Sequence, residues 1–352
     1  MAPSEPSSHA KPAIKRNVKH VVLGDLLFQT WYQSIYPEEL VSKDTDRLYV
    51  CRWCFRYSCD VAAYTKHTRL CPHRTSPPGT KVYDYGGYAV WELDGEDNKL
   101  YGQNLSLFAK LFLDHKSVFF DVASFLYYLL TFTDPNDPDN YYILGYFSKE
   151  KLSWDANNLA CILVFPPYQH KQLGKLLMGV SYKLSGWEQD KGLIGGPEKP
   201  LSEMGRKSYS RFWEERIARY FLVQSANAEK TDEQTQKPTK GSRTRTTQEI
   251  MTVQDIGLAT GMLTEDVITA LKGLGAVEPA TPSKRRKTTQ DIAAESETVT
   301  IRKSSVLEWA KTRRVALRDP VCDEGFLGKW APRSHSESSV ADSEEESEED
   351  SG

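Results

Sequence analysis

The chain has 352 residues, enough for two or three domains, and 39% of them are hydrophobic, which permits a sizeable core. Net charge is −3, but residues 333–352 carry one Arg and eight acidic groups, so the body before them is mildly basic and points toward a chromatin partner. No apolar run reaches the roughly 18 residues of a membrane span, MAPSEPSSHAKPAIKR lacks the apolar core of a secretory signal, and six cysteines of which most fall in one cluster favour a metal over disulfides.

Residues 1–17 are Pro- and Ser-rich and read as disordered. Residues 18–80 form an N-terminal unit. Val18 to Leu48 alternates and carries aromatics, as one or two strands before a loop at Tyr36-Pro37. Cys51, Cys54, His67 and Cys71 follow with the spacing C-x2-C-x12-H-x3-C. A hairpin would supply two thiolates, and a helix would supply His67 and Cys71 one turn apart. Four protein ligands close a tetrahedral zinc, so the metal is predicted to be structural. Cys59 and His73 fit the spacing worse. Arg52, Arg56, Lys66, Arg69 and Arg74 are the finger's only cations, and a lone finger covers about 3 bp, so direct DNA binding is expected to be weak or absent.

Residues 81–222 read as the core. Lys81 to Leu93 alternates like a strand pair turning at Gly86-Gly87. Asn104 to Lys116 reads as a helix apolar on most sides, Val118 to Val122 as a strand, and Phe125 to Phe132 as a second apolar segment. Asp134 to Asn140 reads as a loop and Ile143 to Phe147 as a strand. Leu159-Ala-Cys161-Ile-Leu-Val-Phe165 is a continuous apolar run suited to a buried strand from Asn158 to Phe165, stopped by Pro166-Pro167. A loop ends at Gly174, and a helix over Lys175–Leu184 puts Leu176, Leu177, Val180 and Leu184 on one face. Strand, loop and helix N-terminus suit a bound pyrophosphate, because first-turn N–H groups lack helical partners and the helix dipole favours negative charge. Lys171 and Lys175 would add positive charge. Ser208 to Leu222 is an amphipathic helix.

Residues 223–248 are polar and read as a flexible insertion. Residues 249–277 form a helix-turn-helix pattern, with Thr252 and Thr264 as N-caps and Glu265-Asp266 in a first turn. The acidic second helix disfavours a phosphate surface, so packing support is preferred to DNA reading. Residues 278–298 form a second, basic insertion that holds Lys284-Arg285-Arg286-Lys287, a short run of the nuclear-import type. Residues 299–332 return to order, and residues 333–352 form an acidic disordered tail.

Ala160-Cys161-Ile162, Pro167-Tyr168-Gln169, Gly174-Lys175-Leu176-Leu177 and Pro197-Glu198-Lys199-Pro200-Leu201-Ser202 together resemble the acetyl-CoA motif of MYST-family histone acetyltransferases. The resemblance runs from about Val18 to about Pro332 and looks most like the fungal silencing-related branch. It implies a mixed α/β fold: a GNAT-like acetyl-CoA-binding core sheet flanked by an N-terminal C2HC zinc finger and a C-terminal helix-turn-helix subdomain. It implies transfer of acetyl from acetyl-CoA to a lysine of a histone tail, in particular histone H4 in nucleosomes, inside a complex with accessory subunits in the nucleus. It also implies cofactor contacts from Ile162, Leu163, Val164 and Phe165, from Lys171, Gln172, Leu173, Gly174, Lys175, Leu176 and Leu177, and from Ser202 and Ser208. The alternative of another class is a chromatin-binding scaffold with a degenerate acetyltransferase fold.

A substrate lysine near pKa 10.4 must lose a proton before it attacks a thioester. Glu198 sits between Pro197 and Lys199-Pro200, which restrict the backbone, and the resemblance makes it the base. Cys161 reads by composition as a core cysteine. The resemblance places it beside the acetyl group, where an acyl-cysteine route competes with direct attack, and direct attack is favoured here. Lys110 is a charge inside an apolar run, and its head is expected to reach water or a carboxylate. The resemblance instead makes it a self-acetylated lysine. The loop departs from the family at two positions: His170 replaces a usual arginine and Gln172 a usual glycine, which is unfavourable if positive φ is needed there.

Overall fold

The computed structural model describes residues 16–155, 157–188, 195–235, 252–278, 300–316 and 318–332. The expected disorder before Arg16, the basic run at Lys284–Lys287 and the acidic tail lie outside these residues, as do most of the two insertions. The chain divides into two compact units, 1–80 with 91–151 and 161–171, and 81–90 with 152–160 and 172–352.

In the first unit, β1 (Val18–Leu23) pairs antiparallel with β2 (Leu26–Gln29) and parallel with β3 (Thr45–Val50). Val21 and Leu23 of β1 and Leu48 and Val50 of β3 are buried at alternate positions, as the pattern predicts, and Val18 is buried as well, out of that phase. β4 (Tyr57–Ser58) closes a hairpin on β3, and α1 (Val61–Leu70) follows, capped by Asp60, which accepts from the N–H of Ala62 and Ala63. α2 (Lys99–Lys110) starts and ends earlier than the sequence reading, because the Leu111 and Phe112 N–H groups turn back to Phe108 and Ala109 and close the helix.

The unit's main sheet contains β7 (Phe125–Asp134), β8 (Asp137–Glu150) and β10 (Cys161–Val164) in the order β10-β8-β7, all antiparallel. β6 (Tyr88–Asp94) continues the row, entering this unit at Trp91. Asp134–Asn140 is not the predicted loop. The ladder runs to Asp134↔Asp137, and Asp134 Oδ1 accepts from the Asn136 N–H to make the turn. Nor is Val118–Val122 a strand. Its backbone is satisfied otherwise, with Phe120 O accepting from Gln103 Nε2 and Val122 O from the Phe125 N–H. Gly145 is required where β10 crosses β8, since a Cβ there would lie 2.4 Å from Leu163 O. Phe55, Phe108 and Phe165 pack with ring centroids 5.0–5.8 Å apart and tie the finger, α2 and the end of β10 into one core.

In the second unit, β5 (Thr80–Tyr85) and the first residues of β6 form the predicted hairpin over Gly86-Gly87. The apolar run foreseen as one strand is split at Ala160. β9 (Asn157–Leu159) leaves β10 and pairs parallel with β11 (Gly196–Pro197). α3 (Leu173–Trp187) packs on α4 (Glu203–Thr235), where the Trp213 indole N–H donates to the Tyr182 hydroxyl at 2.8 Å. α4 starts before Ser208 and runs past Leu222, where the sequence reading opens a flexible insertion.

α5 (Val253–Thr260) and α6 (Thr264–Gly273) make the expected helix pair, and both pack on α4. Thr252 caps α5 in a full capping box with Asp255. Thr264 does not cap α6: Leu263 occupies that position, without a side-chain bond. α7 (Lys303–Thr312) also packs on α4, with the Arg211 guanidinium 5.5 Å over the Trp309 ring. β12 (Val277–Glu278) and β13 (Thr300–Ile301) form a short antiparallel pair.

Candidate active site

The end of β3 and the start of α1's last turn bring Cys51, Cys54, His67 and Cys71 together, with all four ligand atoms within 4.8 Å of one another. His67 Nε2 faces the cluster, 3.1 Å from Cys54 Sγ. The Cys51 thiol is held below its ordinary range, chiefly by its hydrogen bond with Cys54. Three sulfurs and one imidazole at these separations fit one tetrahedral zinc with no open position. Cys59 is exposed and donates toward Leu40 O, and His73 meets the Tyr101 ring edge to face at 5.6 Å, so both stay outside the set.

Also in the first unit, Cys161 opens β10 opposite Ser148 and is partly exposed. Lys116, which the sequence reading leaves unassigned, is 8% exposed, and its Nζ lies 3.8 Å from Cys161 Sγ. Burial, with a smaller effect of Cys161's charge, pushes the nearby Tyr127 hydroxyl up to about 12. Lys110 lies elsewhere. Its Nζ donates to Leu113 O at 3.2 Å and to Asp114 O, and sits 6.0 Å over the Tyr32 ring. The partly exposed ammonium thus caps the carbonyls beyond α2, and burial moves it below the usual lysine range, against the opposing charge of Asp114. Ile162 and Val164 are half-buried, Leu163 and Phe165 buried, and Lys171 exposed. Gln169 Nε2 donates to Val164 O at 2.9 Å and braces the turn after β10.

In the second unit, Gln172 is the N-cap of α3 with φ 63° and ψ 6°, the left-handed region that favours glycine. His170, in the first unit, also has φ 63°. The Gln172 carbonyl accepts from the Lys175 and Leu176 N–H groups, while among the described residues no acceptor meets the N–H of Leu173 or Gly174. Nothing lies within 4 Å of a Cβ built on Gly174. Two donors and open space at a helix N-terminus fit a pyrophosphate. Leu173, Leu176 and Leu177 point into the core. Lys175 contributes less free charge than expected, because its Nζ is bound to both oxygens of Glu215 at 2.7 and 2.8 Å.

Glu198 follows β11. Its N–H donates to Leu159 O at 2.9 Å, and the residue is exposed. The Lys199–Pro200 bond is cis. Lys199 Nζ donates to Asp266 Oδ1 at 2.8 Å and to Glu265 Oε1. Ser202 and Ser208 are exposed, and Ser202 Oγ accepts from the Gly205 N–H at the start of α4. Sequence reasoning missed Lys116, Glu215 and Asp266, whose partners lie tens of residues away; only their charge within apolar surroundings marks them.

Comparison with known proteins identifies what these parts belong to. The MOZ/SAS family matches residues 76–315, and the MYST family zinc finger domain matches residues 15–71. The chain is 39% identical over 268 residues to a histone acetyltransferase Tip60 homolog of Caenorhabditis elegans, covering 76% of this chain and 53% of that protein. It is 39% identical over 255 residues to the histone acetyltransferase MOF of Drosophila melanogaster, covering 72% and 27%. It is 36% identical over 259 residues to the histone acetyltransferase ESA1 of Gibberella zeae, covering 74% and 46%. The chain thus spans about half, or less, of the length of these curated relatives. The chain belongs to the MOZ/SAS family of MYST proteins and carries that family's zinc finger ahead of its α/β domain.

Proposed function

We propose that the protein is a histone lysine acetyltransferase of the nucleus that modifies chromatin, with the histone H4 tail as substrate and accessory subunits as partners. The observation that carries this is the family match over 76–315, which contains both Cys161 and Glu198. When bound, acetyl-CoA supplies the activated acetyl group. The N–H groups of Leu173 and Gly174 and the charge of Lys171 hold its pyrophosphate. Ile162 to Phe165, Gln172, Lys175 to Leu177, Ser202 and Ser208 complete its contacts. Glu198 takes the proton from the substrate ammonium, and the freed amine attacks directly, with Cys161 lining the site. The scaffold alternative would draw on Gln172, a non-glycine residue in the left-handed region at the N-cap of α3; the N–H groups of Leu173 and Gly174 beside it support the acetyltransferase reading. Self-acetylation, expected at Lys110, has a better candidate in Lys116, whose buried ammonium lies against Cys161.

The test uses the full chain with acetyl-CoA and an H4 tail peptide, then nucleosomes. Glu198→Gln should lower transfer at least about a hundredfold and leave acetyl-CoA binding by calorimetry intact. Cys161→Ala should keep near-normal rate, and a trapped acyl-Cys161 would overturn direct attack. Tryptic mass spectrometry of active protein should find acetyl on Lys116. Unmodified Lys116 beside acetylated Lys110 would restore the assignment drawn from the sequence.

A further inference from the structure

We propose that Asp266, on α6, is a positioning residue that holds the Glu198 carboxylate in place through Lys199. This deepens the reading of Glu198 as the base and rests on it. The segment Gly196–Pro200 has little structure of its own. β11 is two residues long, and among the described residues its sheet partner is β9, of three residues. What fixes it comes from outside. The Glu198 N–H is pinned to Leu159 O. On the near side of Glu198, a Cβ built on Gly196 would lie 2.8 Å from Leu263 Cδ1 and 2.9 Å from Asp266 Oδ2, so the side chains at the start of α6 press closely on β11. On the far side, Lys199 is bound by Asp266 Oδ1 and Glu265 Oε1. α6 therefore grips the chain on both sides of the proposed base.

Asp266 is an expensive residue to place there. Its side chain is 3% exposed, and among the described residues Oδ2 has no hydrogen-bond partner. Burial pushes its carboxyl above the usual range even with Lys199 alongside. Burial alone would lower the Lys199 ammonium, and its bonds to Asp266 and Glu265 outweigh that and hold it up. A buried, half-satisfied carboxylate costs stability that an apolar residue would not. The return is geometric. A base must sit within hydrogen-bond reach of the proton it removes, and a displacement of about 1 Å can cost about a hundredfold in rate. The helix pair, read from the sequence as packing support, thus supplies the anchor of the catalytic loop.

The test measures kcat and KM with acetyl-CoA and an H4 tail peptide on the full chain. Lys199→Met and Asp266→Asn should each lower kcat about tenfold or more with the KM for acetyl-CoA unchanged. The double variant should be no worse than the poorer single one, and Lys199→Arg should recover part of the rate. In a Glu198→Gln background, Lys199→Met should cause no further loss, since there is no base left to misplace. Lys207→Met, which breaks only the exposed pair with Glu203, serves as the unaffected control. If Asp266→Asn does not fold, Lys199→Met at the more exposed partner carries the test. Wild-type kcat in Lys199→Met would overturn the proposal, as would an equal fractional loss with and without Glu198. Full activity of Glu198→Gln would instead overturn the base assignment, and the positioning role with it.

Discussion

The zinc cluster and the Gly196–Pro200 loop solve the same problem, fixing a few side chains in space, by opposite means. The cluster's ligands all lie between Cys51 and Cys71, and a hairpin plus one helix bring them together. The loop is held by Leu159 and by two acids 66 and 67 positions beyond Lys199. A local site can be built with one ion and little else. A distant one must wait for α3, α4 and α6 to pack, and it inherits every fault in that packing.

The widest break in this comparison comes from removing the metal. Chelation, or Cys71→Ser, should unfold the finger, because structural zinc in such sites is worth on the order of 10–16 kcal/mol. Circular dichroism and thermal melts should show the loss, and an unchanged melt would mean that the hairpin and α1 stand without the ion. Next is Glu198→Gln, where kcat should fall at least about a hundredfold. Gln172→Gly should stabilise the protein by about 1 kcal/mol, since it relieves a left-handed non-glycine residue. A lower melting temperature would show that the side chain contributes more than its backbone costs.

The smallest effect concerns pH. Burial would raise the Glu215 carboxyl, but the hydrogen bonds from Lys175 and Arg211 outweigh it and hold the group below its usual range. Its contribution to stability is therefore complete above the ordinary glutamate range and is lost as pH falls through the lower folded value. Glu215→Gln should flatten the acid limb of the melting-temperature profile, and an identical limb in the variant would exclude this role.

Much of the fold is written locally. The Cys and His spacing marks the finger, the apolar run marks the strand before α3, and Gly86-Gly87 marks the β5–β6 turn. What escapes the sequence depends on tertiary partners. Leu159 and Cys161 look alike as neighbours in one apolar run, yet one pairs with β11 and the other with β8. Lys110 and Lys116 are equally unusual charges, and only packing decides that Lys116 meets Cys161. Lys175 reads as a free cation until Glu215 arrives from α4. Asp266 reads as an ordinary first-turn acid, although it is almost wholly buried.

The stacking around Trp53 carries one more consequence. Arg52 lies 4.6 Å from the Trp53 ring and 4.9 Å from the Tyr142 ring, and it donates to Asn140. Arg74 lies 5.1 Å from Trp53 and donates to the carbonyls of Thr68 and Arg69. Two of the finger's few guanidinium groups are thus already engaged by rings and amides. Each phosphate neutralised on a duplex steepens the salt slope by about 0.9. Any polyanion meeting this face should therefore displace few counterions, and its retention on an immobilised finger should change little between dilute and physiological salt.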